Sequence, residues 1–227
     1  MPRPIKSPAS GRVAGAASFL EGERGAFGAA GGLREEVSAY KRDLIVRAAI
    51  ETFFEHGYHN ATVDLLTSRL SGSKAIFYYH FPDKRAVLDE IYRRAMSSAL
   101  QVLDQTVAAG GTPPEMLDRF ARRYTEWVLD HQKLVDVFRR EERTISAEMR
   151  AEVAYDQKRW DDGIAAIIRQ GIASGDFADS DPKATSRAIS GMITWLYTWW
   201  REGRRMSRAE AIEQFAQLAL RMAGTRA

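Results

Sequence analysis

The chain has no cysteine, only four histidines and no long apolar run. Without thiols it can form neither a disulfide bond nor a thiolate metal site. Its closest histidine pair, His56 and His59, is spaced i, i+3 at a predicted helix end, whereas a helical zinc pair needs i, i+4. No stretch approaches the roughly 20 apolar residues of a membrane span. We therefore expect a cytoplasmic protein that holds no metal and no cofactor and does not enter a membrane.

Enzyme motifs are missing as well. No glycine-rich phosphate loop follows a strand pattern and no nucleophile motif is present, so we expect no enzymatic activity. The net charge of +3 is dispersed, since residues 95–227 carry nineteen basic and nineteen acidic side chains. Because a large basic field is absent, a function on nucleic acid has to be inferred from motifs rather than from total charge.

The pattern that is present is helical almost throughout. From Glu35 onward apolar residues recur at helical spacing, and no strand-like alternation appears. The predicted fold class is all-α, with a three-helix helix-turn-helix domain at the N-terminal end and a helical bundle after it. The predicted divisions are a disordered tail over residues 1–33, a DNA-binding domain over 34–82, and an effector-binding and dimerisation domain over 83–227.

The first 33 residues are rich in glycine, alanine, proline and serine and lack apolar periodicity. This composition is typical of a disordered segment. Four basic and two acidic side chains leave open the alternative of a basic arm that contacts DNA phosphates.

Two short helices, over residues 62–70 and 73–79, are separated by a tight turn at Ser71 and Gly72. In a helix-turn-helix unit the second helix enters the major groove and the first braces it against the backbone. The lysine near the start of the second helix can donate to guanine, and the two apolar residues after it can meet thymine methyl groups. Hydroxyl, phenol, imidazole and ammonium groups around it are phosphate donors. The predicted DNA contacts are Thr62, Ser73, Lys74, Ala75, Ile76, Tyr78, Tyr79, His80 and Lys84.

This region resembles the TetR family of transcriptional regulators. The family run opens with Thr62-Val63 and ends with the aromatic cluster at residues 78–81, followed by Lys84; the upstream segment at residues 49–58 also matches. Ile76 departs from the usual Thr or Ser and predicts a more apolar base contact. The resemblance implies a DNA-binding domain followed by an effector-binding and dimerisation domain.

The second half is rich in aromatic residues at helical spacing. Such stripes form protein cores, and they also line apolar pockets. Arg139 is predicted either on a solvated charged face or as an anion clamp at a pocket mouth, because arginine binds phosphate bidentately. The predicted effector contacts are Phe120, Tyr124, Trp127, His131, Phe138, Arg139, Trp160, Met192, Trp195 and Trp199.

Small residues, including Ala184, Ala188 and Gly191, mark a predicted self-association surface, and the resemblance implies a C2 homodimer. Residues 172–177 and 190–203 resemble the acyl-coenzyme A-responsive branch of the family. The sequence thus predicts a dimeric, ligand-responsive repressor that binds a pseudo-palindromic double-stranded DNA operator and is released by a small hydrophobic effector, such as an acyl-CoA thioester. The alternative is a helical ligand-binding or adaptor protein that does not bind DNA.

Overall fold

A computed structural model describes residues 33–70 and 74–225. Within these ranges the chain forms helices and connecting turns and contains no strand, which confirms the all-α prediction. The predicted tail lies outside the described residues, apart from Leu33, which begins the first helix. The helices are α1 (Leu33–Asn60), α2 (Val63–Ser68), α3 (Lys74–His80), α4 (Lys84–Ala108), α5 (Pro113–Asp130), α6 (Gln132–Arg140), α7 (Ala147–Ser174), α8 (Pro182–Thr194), α9 (Leu196–Trp199) and α10 (Arg208–Ala223).

Side-chain caps set the beginnings of several helices, as local sequence predicts. The Thr62 hydroxyl accepts from the Leu65 amide at the start of α2, and the Asp83 carboxylate accepts from the Ala86 amide at the start of α4. These bonds satisfy amides that have no intrahelical partner. The predicted cap Ser73 lies outside the described residues.

Gly57 interrupts α1. Its backbone angles, φ 74° and ψ 156°, are not helical, and they lie in a region that only glycine adopts readily. The turn after this break carries Tyr58 into the core. The sequence predicts a helix end near Gly57, and the backbone does break there.

Two hydrophobic clusters organise the chain. The first is centred on α1, α2 and α3 and also includes side chains of α4, α6 and the start of α7. The second joins α4, α5, α7, α8 and α10. Helix α4 contributes side chains to both clusters and so connects them. No helix in the described ranges is long and apolar enough to cross a bilayer.

The segment after α8 differs from the prediction of one helix over residues 181–202. α8 ends at Thr194, α9 spans four residues, and Trp200 has extended backbone angles. This conformation lets the Trp200 ring bury itself in the core. The Arg201 guanidinium donates to the carbonyls of Trp200 (2.6 Å) and Tyr197 (3.3 Å), which stabilises the early helix end.

Candidate DNA interface and effector cavity

The short helix α3 presents most of its surface to solvent. Phe77 is its one fully buried side chain, and it packs against Phe81 with ring centroids 6.3 Å apart. Lys74, Ala75 and Ile76 are exposed, as are Tyr78 and Tyr79. Phe77 thus anchors α3 to the core, while the side chains at the N-terminal end of the helix remain accessible to a DNA duplex.

Lys74 already has a partner on the neighbouring helix. Its ammonium lies 2.8 Å from the Asp64 carboxylate, and this hydrogen bond raises the pKa of Lys74. Both side chains are more than half exposed, so the pair is weak and can open when a nucleic-acid acceptor approaches.

Lys84 is engaged inside the domain. Its ammonium donates to the backbone oxygens of Tyr58 (2.6 Å), Ala61 (2.9 Å) and His59 (3.3 Å), and it lies 4.3 Å from the centre of the Tyr58 ring. Since an ammonium has three N–H groups, all of them are used. This geometry gives Lys84 a role in joining the end of α1 to the start of α4. The predicted phosphate contact requires one of these bonds to break.

A groove of about 360 Å³ runs between the start of α1 and α3. From α3 it includes Ala75, Ile76, Tyr79 and His80. The α1 residues Val37, Ser38 and Lys41 complete it, and sequence reasoning did not select them because the motif begins after them. Burial, reinforced by the positive charges of Arg42 and Lys41, lowers the pKa of His80.

A second cavity, of about 450 Å³, lies in the C-terminal half between α4, α5, α6, α7, α8 and α9. Its size falls within the range of small-molecule sites. Rings form much of its wall, and three charged side chains also face it. Its lining is Ala95, Met96, Ala99, Tyr124, Trp127, Val135, Phe138, Arg139, Gln157, Trp160, Asp161, Arg187, Ser190, Gly191, Thr194, Trp195 and Tyr197.

Six of the ten predicted effector contacts line this cavity: Tyr124, Trp127, Phe138, Arg139, Trp160 and Trp195. The other four lie elsewhere. Phe120 is fully buried behind Tyr124 and Trp160, with ring centroids 5.6 and 5.3 Å away. His131 stacks on Trp127 at the α5–α6 junction. Met192 packs against the second cluster, and Trp199 lies near Phe215.

The polar atoms of three aromatic side chains that line the cavity form hydrogen bonds with serine and threonine hydroxyl groups. The Thr194 hydroxyl donates to the Ser190 carbonyl (2.7 Å), so in its 2.8 Å bond with Tyr124 the phenol is the donor. Indole N–H groups of Trp160 and Trp127 donate to Ser190 Oγ (3.2 Å) and Ser98 Oγ (3.3 Å). With these groups paired, the rings present apolar faces to the cavity.

Known families account for both halves of the chain. The family described as "Bacterial regulatory proteins, tetR family" matches residues 45–91, which contain α2, α3 and the start of α4. A second family, described as "Tetracyclin repressor-like, C-terminal domain", matches residues 110–223, which make up half of the chain. The chain belongs to the TetR family. Members of this family are transcriptional regulators rather than enzymes.

Similar TetR-family and related regulators are known from several bacteria. A fatty acid metabolism regulator protein of Bacillus subtilis is 22% identical over 157 residues, covering 69% of this chain and 81% of the relative. The Escherichia coli regulator RutR is 26% identical over 152 residues, covering 67% and 71%.

Solved structures show the same fold. A TetR-family regulator from Rhodococcus RHA1 has a TM-score of 0.77 at 25% identity, covering 82% of this chain and 98% of that one. AibR, solved in complex with isovaleryl coenzyme A and operator DNA, has a TM-score of 0.72 at 21% identity. The match covers 78% of this chain and 97% of AibR.

In this TetR-family chain α6 touches both the cavity and the DNA-binding end. Val135, Phe138 and Arg139 line the cavity. Beyond them, the Arg140 guanidinium donates to the Phe54 carbonyl (3.1 Å), three residues before the break at Gly57. The buried carboxylate of Glu141, directly after α6, accepts from the Tyr58 amide (3.2 Å) on the other side of the break. On α4, Tyr92 stacks on Phe138 at 4.5 Å and donates to its carbonyl.

Proposed function

We propose that this protein is a homodimeric repressor that acts in the cytoplasm. Binding of a small hydrophobic effector, of which an acyl-CoA thioester is the favoured class, would release the repressor from its operator. The observation that carries the DNA-binding part is the exposure of α3 around its single anchor, Phe77. Lys74 would read a guanine, Ala75 and Ile76 would meet thymine methyl groups, and Tyr78, Tyr79 and His80 would fix the register on phosphates.

The dimer surface proposed is the exposed side of α8 with the end of α10. Ala184, Ala188 and Gly191 are exposed on α8 and permit close helix approach. Trp199 at the end of α9 and Met222 near the end of α10 are exposed large apolar residues. Ala211 and Phe215, which the sequence pattern also favours for this surface, are buried within the protomer. A two-fold dimer would bind half-sites separated by about one turn of DNA or a multiple of it.

The effector would act through α4 and α6. α4 tilts in this mechanism and changes the separation of the two reading helices, and α6 supplies a second connection through Arg140 and Glu141 to the break in α1. Such a shift requires that the effector bind the two states with different affinities. The acyl-CoA assignment is supported by the apolar cavity, by the complex of AibR with isovaleryl coenzyme A, and by the Bacillus subtilis fatty acid regulator.

The test uses the full chain and labelled duplexes that tile the region upstream of its own gene, at two salt concentrations. We expect one duplex to be bound at least about 10³-fold more tightly than unrelated DNA. Lys74→Ala should weaken binding and reduce the salt dependence, while Lys158→Ala, on the exposed side of α7, should change neither. Binding that is equally weak to every duplex would instead favour the adaptor without a DNA function. Addition of isovaleryl-CoA to the specific complex tests release.

A further inference from the structure

The charges that line the effector cavity do not balance. Its lining contains three charged side chains, which are those of Asp161, Arg187 and Arg139. Arg187 Nε lies 2.9 Å from the Asp161 carboxylate, so those two charges neutralise each other. Arg139 forms no ion pair or hydrogen bond with any residue in the described ranges. We infer that the effector is an amphipathic anion whose carboxylate or phosphate group pairs with Arg139; this inference rests on the proposed effector function of the cavity.

Arg139 stands out among the basic residues around it. Its neighbour Arg140 pairs with Asp136 and donates to the Phe54 carbonyl, and Lys133 pairs with Glu51. Arg139 is exposed and also lines the cavity, which places its guanidinium at the mouth. The positive charge of Arg139 also acts on Tyr124, which lines the same cavity. Burial raises the pKa of Tyr124, whereas the hydrogen bond to Thr194 and the charge of Arg139 lower it.

The chemistry at the mouth favours an anion over the other charge classes. A cationic ligand would need a free carboxylate, and the only carboxylate in the lining is held by Arg187. A carboxylate or phosphate matches the planar fork of a guanidinium and can accept two parallel hydrogen bonds from it.

Two further donors are available to the polar end of such a ligand. Ser190 Oγ accepts from Trp160, and its own proton has no acceptor in the described ranges. The Gln157 amide also lines the cavity and makes no hydrogen bond there. The apolar body would lie between the faces of Tyr124, Trp127 and Trp160, whose polar atoms are already paired. The arrangement is an apolar chamber with a cationic entrance.

Trp127, Trp160 and Trp195 line the cavity and provide a fluorescence signal for binding. The full-length protein is titrated with four probes: decanoate, 1-decanol, decanoyl-CoA and coenzyme A alone. We expect decanoate or decanoyl-CoA to bind at least about tenfold more tightly than decanol, which matches the chain length without the charge. Tighter binding of decanoate identifies a carboxylate as the anion. Tighter binding of decanoyl-CoA, with competition by coenzyme A, identifies phosphate.

Arg139→Gln should weaken binding of the preferred anion about tenfold and leave decanol binding unchanged, so decanol also reports that the cavity is intact. Arg143→Gln, an exposed arginine in the turn before α7, is the matched control and should keep the full preference. Equal binding of decanol and both anions to the unmodified protein would overturn the inference while preserving a hydrophobic effector site. No fluorescence change with any probe would count against the proposed hydrophobic effector itself, and the anion inference would fall with it.

Discussion

Lys84 shows how one side chain can serve a role that its sequence motif does not reveal. The family run places it among phosphate donors, yet its three N–H groups are directed to the carbonyls of Tyr58, His59 and Ala61. Burial accordingly lowers the pKa of Lys84. The motif singles out Lys84, but the partners of its ammonium come from a turn that lies more than twenty residues earlier in the chain.

Lys84→Ala should lower the free energy of unfolding by about 1–3 kcal/mol, because it removes charge-assisted hydrogen bonds from carbonyls at the end of α1. Denaturant titration measures this loss. If Lys84 only stabilises the fold, the slope of the logarithm of operator affinity against the logarithm of salt concentration will be the same in Lys84→Ala as in the unmodified protein. A slope reduced by about one unit with unchanged stability would instead assign Lys84 to a phosphate.

Glu90 provides a pH test at the same scale. It is buried between Arg94 and Arg42, with oxygens 2.7 and 2.8 Å from their guanidinium nitrogens. Burial opposes ionisation, but these hydrogen bonds outweigh it and lower the pKa of Glu90 below its ordinary value of 4.5. A depressed folded-state pKa contributes stability above the ordinary value, and that contribution is lost as the pH falls through the folded-state pKa.

Unfolding free energies of the unmodified protein should therefore fall on acidification below about pH 4.5 more steeply than those of Glu90→Gln. At pH 7 the variant should be the less stable of the two, since it loses the ion pairs with Arg94 and Arg42. Urea titrations at pH 7 and pH 4 check both statements. Parallel pH profiles for the two proteins would show that Glu90 is not linked to folding.

At the scale of elements, the helices were predictable where their signals are local. Thr62 and Asp83 cap the helices that follow them, and Gly57 breaks the backbone where only glycine is favoured. The end of α8 was not predictable in this way, because it depends on the burial of Trp200 against distant helices. Phe120 and Tyr124 share one helical face, yet only Tyr124 reaches the cavity. Helical periodicity predicts a face and cannot predict the depth at which each residue lies.

The bond between Glu141 and the Tyr58 amide links two elements 83 positions apart, and no sequence pattern indicated it. Glu141→Ala would leave a buried amide without its acceptor and should cost about 1–3 kcal/mol of stability. Glu141→Gln keeps a carbonyl oxygen at that place and should cost less. Hydrogen exchange at the Tyr58 amide should be faster in the Ala variant than in the Gln variant. Identical exchange in both would mean that the bond does not persist in solution.

At the scale of the whole molecule, the proposed function depends on two copies of α3 held at a fixed separation. In the proposed dimer, the exposed small residues of α8 would permit a close helix contact between two copies. Ala188→Arg would place a long charged side chain within that contact. We expect the dimer to dissociate at concentrations where the unmodified protein stays associated, with a loss of operator affinity of about 100-fold or more because single half-sites bind weakly.

Sedimentation equilibrium measures the association, and Tyr155→Arg is the control, since Tyr155 is exposed on α7. A dimer that survives Ala188→Arg would place the two-fold contact on another surface of the molecule.

The grip of Arg140 and Glu141 on α1 has a consequence for how such regulators diversify. Both side chains bind main-chain atoms of α1, the Phe54 carbonyl and the Tyr58 amide, and the Arg140 guanidinium also lies 5.9 Å from the centre of the Phe54 ring. Substitutions in α2 and α3 should therefore leave these contacts in place, provided that Phe54 is kept and a glycine still interrupts α1 at position 57. Under the proposed function, we expect that a hybrid joined at this contact, with Phe54 and Gly57 kept, combines the effector response of this chain with the operator of the new DNA-binding domain.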